Sequence, residues 1–241
     1  MIQNSNALRA WIKRKDHPAA RLLYKSWKGF RSIGIPVIPG IHINLYKSHL
    51  ATNRFINAIM RIFYWTPLFK SRTTASAKRL YLYGGSMPLI LGPLRITLGD
   101  DCRVSCQTTF SGRTSSIEVP LLTVGNNVEI GWQTTIAVGN RVTIGNNVLI
   151  AGRAFLAGYP GHPLDPKDRA AGLPDTDNQV GEIILEDDVW LATGVTVMSG
   201  VKIGEGTVIA AGSVVTKSLP KGVLAGGVPA RIIRQLSETT Q

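Results

Sequence analysis

The stretch LEDDVWLATGVTVMSGVKIGEGTVIAAGSVV, residues 185–215, decides how this chain folds. An apolar residue stands at every sixth position: Leu185, Leu191, Val197, Ile203, Ile209 and Val215. Four residues after each of the first five comes a small or β-branched one: Val189, Val195, Val201, Thr207 and Ser213. No helix repeats every six residues, and a half-buried strand alternates every two. A period of six in Val- and Ile-rich sequence predicts short strands that turn corners, each face sending one large side chain inward. Three such faces close a triangular coil, and stacked coils form a parallel β-helix.

The ladder extends backwards. Ile144, Ile150 and Leu156 keep the spacing, as do Val124, Ile130 and Ile136 and, less cleanly, Leu98, Val104 and Phe110. A short interruption follows Ile136, a longer one covers about 111–123, and the largest covers about 157–184. This predicts about five coils between Leu98 and Pro220. Gly125-Asn126-Asn127, Gly139-Asn140 and Gly145-Asn146-Asn147 fall between apolar steps, as residues that tolerate positive φ do at tight corners.

Charge divides the chain of 241 residues, whose formal net charge is +12. Residues 1–95 hold 16 Lys and Arg against one acid, Asp16; the remainder holds 11 against 14. Of the 17 Phe, Trp and Tyr, 12 also precede residue 96. The expected organisation is a basic, aromatic-rich helical region over 1–92 and a β-helix over 93–222. A C-terminal segment follows over 223–241. Residues 18–31 suit a helix with Leu22, Leu23, Trp27 and Phe30 on one face and Arg21, Lys25, Lys28 and Arg31 largely on the other. A second, 47–65, gathers Phe55, Ile56, Ile59, Met60 and Phe63, and Pro67 is expected to end it. Neither offers the roughly 18 uncharged apolar residues that span a bilayer, and no signal-peptide pattern is expected. Basic helices rich in Trp and Phe suit an anionic membrane surface; the alternative is packing within the protein. A nucleic-acid partner is not expected, because no recognised binding motif accompanies the charge.

Cys102 and Cys106 lie four apart on one coil, poor geometry for a disulfide, and form no zinc-ligand pattern. Both read as inert thiols of a reducing cytoplasm. Of four histidines only His162 belongs to the β-helix half, within the 157–184 loop. Imidazole is the side chain whose ordinary pKa suits proton transfer near neutrality. A γ-class carbonic anhydrase needs three His ligands to its metal, which this half lacks. A nucleotidyltransferase needs a Gly-rich nucleotide domain, for which 1–95 has no motif.

Four segments carry a resemblance: Gly161-His162-Pro163-Leu164-Asp165-Pro166, Asp188-Val189-Trp190-Leu191-Ala192-Thr193-Gly194, Ala211-Gly212-Ser213-Val214-Val215-Thr216-Lys217 and Gly226-Gly227-Val228-Pro229-Ala230-Arg231. From about Leu98 to Leu236 the chain resembles the hexapeptide-repeat acyltransferases, most nearly the maltose and galactoside O-acetyltransferase group. The resemblance implies a left-handed coil, although parallel crossovers are ordinarily right-handed. It also implies a homotrimer with sites between subunits, acetyl-CoA as acyl donor and no metal. His162 is then the general base. The CoA arm is expected along Thr193, Gly194, Ala211, Gly212, Thr216 and Lys217, with Arg231 and Arg234 near its phosphates, where cations make charge-assisted contacts. Trp132, Gln133, Asp165 and Trp190 are expected beside the acceptor, and Asp165 or Asp168 is a candidate to orient His162.

The chain departs from the family in two places. Gly131-Trp132-Gln133-Thr134-Thr135 matches the sugar-contacting segment only loosely, and the basic lead-in is unlike that of simple sugar acetyltransferases. The expected acceptor is therefore a sugar hydroxyl on a lipid-linked glycan precursor, of lipopolysaccharide or exopolysaccharide type, at the cytoplasmic membrane face. The alternatives are a soluble sugar or amino-sugar acetyltransferase and a non-enzymatic β-helix scaffold.

Overall fold

The structure, a computed structural model, describes residues 2–74 and 77–236, so the ends of the expected N- and C-terminal regions lie outside the described residues. The chain divides into two compact units, 1–52 and 53–241.

The first unit is helical. Helix α1 (Ile2–Arg14) packs against α2 (Pro18–Arg31), which matches the expected helix. His17 caps α2, its Nδ1 accepting from Ala19 N at 3.2 Å, and Pro18 takes the first position, where a missing N–H costs nothing. Leu22, Trp27 and Phe30 remain exposed on α2.

Helix α3 (Pro39–Met60) starts earlier than the 47–65 segment anticipated. It leads into a π-helical turn, Arg61–Trp65, and then α4 (Thr66–Lys70). Pro67 therefore does not end the helical run; it sits in the first turn of α4. The π turn, in which Thr66 N donates to Arg61 O, widens the backbone and relieves the clash a proline ring makes with the carbonyl four residues back. Phe69 is fully buried and reaches Phe110 inside the solenoid, with ring centroids 6.2 Å apart.

The rest is a left-handed parallel β-helix with three faces. The first face stacks Tyr81–Tyr83, Arg103–Ser105, Glu129–Ile130, Leu149–Ile150, Trp190–Leu191, Val208–Ile209 and Val223–Gly227; Ala230–Gln235 joins it antiparallel. The second stacks Leu89–Leu91, Thr109–Gly112, Thr135–Val138, Phe155–Ala157, Thr196–Met198 and Val214–Val215. The third stacks Arg95–Leu98, Leu121–Val124, Arg141–Ile144, Ile183–Leu185 and Lys202–Ile203, with Leu219 bridging to Ile203. Leu185, Leu191, Val197, Ile203, Ile209 and Val215 are all 0 % exposed, and each buried side chain of this size contributes about 1.5–3 kcal/mol. Thr207 and Ser213, also buried, spend their hydroxyls on backbone: Thr207 Oγ1 donates to Pro220 O at 2.7 Å, and Ser213 Oγ accepts from Gly227 N at 3.1 Å.

The solenoid begins at Tyr81, ahead of the boundary anticipated at 93, and has six coils. Its first coil places Leu82, Ile90 and Leu98 over Val104, Phe110 and Val124. Those three are eight apart rather than six, because two extra residues enter each corner, and the hexad is therefore hidden. The corner from the third face to the first is a side-chain ladder. Asp100 Oδ1 accepts from Lys78 N, Asn126 Oδ1 from Asp100 N, Asn146 Oδ1 from Asn126 N and Asp187 Oδ1 from Asn146 N, all at 2.7–2.9 Å. Gly125 lies within that corner; a Cβ there would stand 2.6 Å from Gly145 O, so only glycine lets the coils close.

Candidate active site

Three edges run along the prism, and the anticipated site residues divide between two of them and the C-terminal ribbon. The edge from first to second face carries Trp132 and Gln133 on the third coil, Thr193 and Gly194 on the fifth, and Ala211 and Gly212 on the sixth. The edge from second to third face carries the His162 loop on the fourth coil and Thr216 and Lys217 on the sixth. Trp190 lies on the first face, exposed. Within one chain, His162 and the small-residue row thus belong to different edges.

The small-residue row is continuous. Gly194 N donates to Gly152 O at 3.0 Å and Gly212 N to Thr193 O at 2.9 Å. Gly194 and Gly212 have φ of +75° and +71°, and open space lies where a Cβ at Gly212 would stand. An extended acyl-carrier arm can approach the backbone closely there. Higher on the edge the Trp132 indole lies flat over Gly152, where a Cβ would collide with it, and the Arg153 guanidinium sits 5.8 Å from its ring centroid. Arg231 and Arg234 occupy the antiparallel strand Ala230–Gln235, opposite Gly226 and Leu224. Register shifts between Leu224 and Ala225. The extra residue of this bulge brings both arginines to the outer side of the ribbon, where strict alternation would oppose them. Among the described residues neither has a carboxylate partner. This cationic pair and the open glycine row fit a nucleotide-phosphate ligand with a narrow arm.

His162 is exposed on its loop. Asp165 does not reach toward it; the Asp165 carboxylate caps helix α5 (Pro166–Ala170), accepting from Lys167 N at 2.7 Å and Asp168 N at 3.1 Å. Arg169 folds back onto the carbonyls of Pro163 (3.0 Å) and Leu164 (2.5 Å). The residue before the histidine, Gly161, has φ +81°, and its N–H donates to Asp175 Oδ2 at 3.1 Å.

Asp175 anchors the loop. It is 5 % exposed and pairs with Arg113, itself 3 % exposed, at 2.7 Å. Ser115 Oγ donates to the same carboxylate oxygen at 3.0 Å, and Arg113 also reaches Asp177 at 2.6 Å. The 111–123 and 157–184 excursions leave the same edge two coils apart, which is why these residues meet. Burial pushes the Asp175 carboxyl up, but Arg113, Ser115 and the Gly161 N–H outweigh it and hold the group below its ordinary value. Tyr159 adds a second tie, its hydroxyl 2.7 Å from Ser111 Oγ. Beside the loop lies a cleft of about 360 Å³ lined by Tyr159, Pro160, Leu164, Gln179, Met198 and Ser199 among others.

Sequence reasoning missed Arg113, Arg153 and Tyr159, and read Asp175 only as part of a long loop. Arg113, the one basic residue of the 111–123 interruption, was the available signal; Asp175 is one of four aspartates in 157–184, and nothing in the spacing singles it out. Among the described residues no group of three His, Cys, Asp or Glu is placed to hold a metal ion. Cys102 is buried, its thiol donating to Gly125 O at 3.3 Å; burial, the largest influence, raises its pKa.

Residues 182–217 match the family described as bacterial transferase hexapeptide (six repeats). A chain of Schizosaccharomyces pombe named as an acetyltransferase is 46% identical over 170 residues, 70% of this chain and 70% of that one. A Staphylococcus haemolyticus chain, also named as an acetyltransferase, is 49% identical over 77 residues, 32% of this chain and 38% of its own length. Among solved structures, a mutant of AntD from Bacillus cereus has a similar fold. That protein is an N-acyltransferase crystallised with dTDP-4-amino-4,6-dideoxyglucose and coenzyme A. The TM-score is 0.55 at 20% identity, over 71% of this chain and 88% of that one.

Proposed function

We infer that this chain, which belongs to the hexapeptide-repeat acetyltransferases, moves an acetyl group from acetyl-CoA to a sugar hydroxyl on a lipid-linked glycan at the cytoplasmic face of a membrane. The observation that carries the reading is His162, solvent-facing on a loop whose backbone is pinned at Gly161 by the buried Asp175. A histidine so placed meets a bound hydroxyl and takes its proton. The alkoxide oxygen attacks the thioester carbonyl, the C–S bond breaks, and the imidazolium returns the proton to the departing thiolate. Direct attack needs no acyl-enzyme, and the buried Cys102 thiol is no nucleophile for one. The CoA arm lies along Thr193, Gly194, Ala211 and Gly212, with its phosphates toward Arg231 and Arg234.

His162 and that row occupy different edges of one prism, so a reacting pair of edges comes from two copies. A homotrimer, in which each subunit lends its His162 edge to the next subunit's glycine row, satisfies this. The lipid link is supported by exposed Trp27, Phe30, Phe55 and Phe63 among the cations of α2, α3 and the π turn. No helix of the described residues is long and apolar enough to cross a membrane, so the reading is of attachment at the surface.

The test is thiol release from acetyl-CoA, wild type against His162→Ala, with membrane glycolipid, simple sugars and amino sugars as acceptors. We expect turnover with glycolipid and a fall of about 10²–10⁴-fold in kcat in the variant. Turnover confined to simple sugars or amines rejects the lipid-linked hydroxyl acceptor. Undiminished turnover in the variant rejects His162 as base.

A further inference from the structure

The N-terminal end of the solenoid holds a second cleft, of about 390 Å³, that none of the residues discussed so far as donor or acceptor contacts line. One wall comes from the end of α3 and the π turn, where Arg54, Asn57, Arg61 and Trp65 recur on one helical stripe. The other wall is Tyr81 and the corner of the first coil at Gly84 and Gly85. These two glycines have φ of +101° and +90°, which L side chains rarely adopt, and a Cβ at Gly84 would stand 2.6 Å from Cys106 Sγ and displace that thiol. No Asp or Glu among the described residues lines the cleft. Among the described residues neither Arg54 nor Arg61 forms an ion pair. Arg61 is held instead by the Tyr81 ring, 4.6 Å from its centroid, which orients the guanidinium without neutralising it. π-Helical turns concentrate at functional sites because they cost hydrogen-bond geometry.

We propose that this cleft binds the phosphate or diphosphate ester of the sugar acceptor, the anion on Arg54 and Arg61 and the sugar ring against Tyr81 and Trp65. Two unneutralised guanidinium groups beside an Asn amide match a multiply charged oxyanion with several acceptor oxygens. Aromatic side chains lining a cleft suit the apolar face of a sugar. The corner at Gly84 and Gly85 lies on the same edge as Trp132, two coils away on the side opposite the glycine row, about 10 Å at the usual strand spacing. A sugar whose phosphate sits in the cleft therefore extends along the edge toward the glycine row. The proposal rests on the acetyltransferase reading and names the group by which its acceptor is held.

The experiment titrates pyrophosphate into the full chain saturated with CoA, so that the CoA phosphate site is already filled. The proteins are wild type, Arg54→Gln/Arg61→Gln and, as a charge control, Arg95→Gln on the third face. Pyrophosphate binding should weaken about tenfold or more in the double variant, as loss of charged hydrogen bonds does, and change less than twofold in the control. Equal affinity in all three proteins, or no binding to CoA-saturated wild type, overturns the proposal. If the double variant loses its CoA-induced thermal shift and so its fold, Arg54→Gln alone, at the more exposed position, serves in its place. A nucleoside-diphosphate sugar and a short-chain polyprenyl-diphosphate sugar are titrated in parallel. Binding of either one, lost in the variant, supports the site and identifies its source as water-soluble or lipid-borne. Binding of neither overturns the sugar assignment. Absence of acetyl transfer by wild type with every acceptor is a failure of the acetyltransferase reading instead, and the phosphate titration stands apart from it.

Discussion

At the scale of single residues, Asp175 controls a position thirteen residues away by accepting the Gly161 N–H that precedes His162. Replacing it with Asn leaves the buried Arg113 with the solvent-exposed Asp177 as its one remaining carboxylate partner among the described residues. Leaving a buried charge wholly uncompensated costs about 3–5 kcal/mol; with Asp177 retained the loss is smaller, and Asp175→Asn should lower Tm and, by loosening the loop, lower kcat more than it raises the KM for acetyl-CoA. Steady-state kinetics and calorimetry check this. The pH dependence has a definite sign. The folded-state pKa of Asp175 lies below its unfolded value. Its stabilisation is therefore complete above the ordinary carboxylate range and is lost as pH falls through the depressed value. Below about pH 4 the Tm of wild type should approach that of the variant; parallel Tm curves down to pH 3 reject the assignment. His162 was legible because Gly, Pro, Leu, Asp and Pro surround it in a recognisable order. The Arg113–Asp175 pair was not, because its members are 62 residues apart and only the shared edge of the prism brings them together.

Among elements, corners explain what the hexad could and could not reveal. Where a corner holds a fixed number of residues the inward side chains keep step, as from Leu185 to Val215. Where two more enter, as around Leu82 and Ile90, the same fold leaves no period to read. Helix α3 and its π turn were only partly visible, since the wide turn that seats Pro67 has no signature in apolar spacing. The C-terminal ribbon is a further case. Arg231 and Arg234 are three apart, a spacing that sends side chains to opposite sides of a regular strand, and only the bulge unites them. Arg231→Gln/Arg234→Gln should raise the KM for acetyl-CoA about tenfold or more while leaving kcat within a fewfold. That is the pattern of lost ground-state binding. A fall in kcat with KM unchanged rejects phosphate contact as their role.

Across the whole molecule, charge and fold are partitioned: nearly all of the excess cations precede the second coil, and the hexads beyond it are close to neutral. If the basic aromatic helices attach the protein to anionic lipid, binding to phosphatidylserine vesicles should exceed binding to phosphatidylcholine vesicles and weaken with salt. Trp27→Glu/Phe30→Glu should lower it further by removing apolar insertion. Equal sedimentation with both vesicle types, or no loss in the double variant, rejects the surface role. Composition showed the division of charge; no spacing rule showed that the end of α3 and the first coil would enclose a cleft, because its walls come from elements of different period.

The two ends of the coil stack are finished differently from its middle. Phe69 plugs the interior at one end, and at the other the strand Ala230–Gln235 runs against the grain of every neighbour on its face. A parallel solenoid is otherwise a template: its last coil presents the same unpaired backbone groups that the next coil would use. Reversing the final strand spoils that match on the widest face. At this end the described coils therefore close on a strand that does not template another parallel coil.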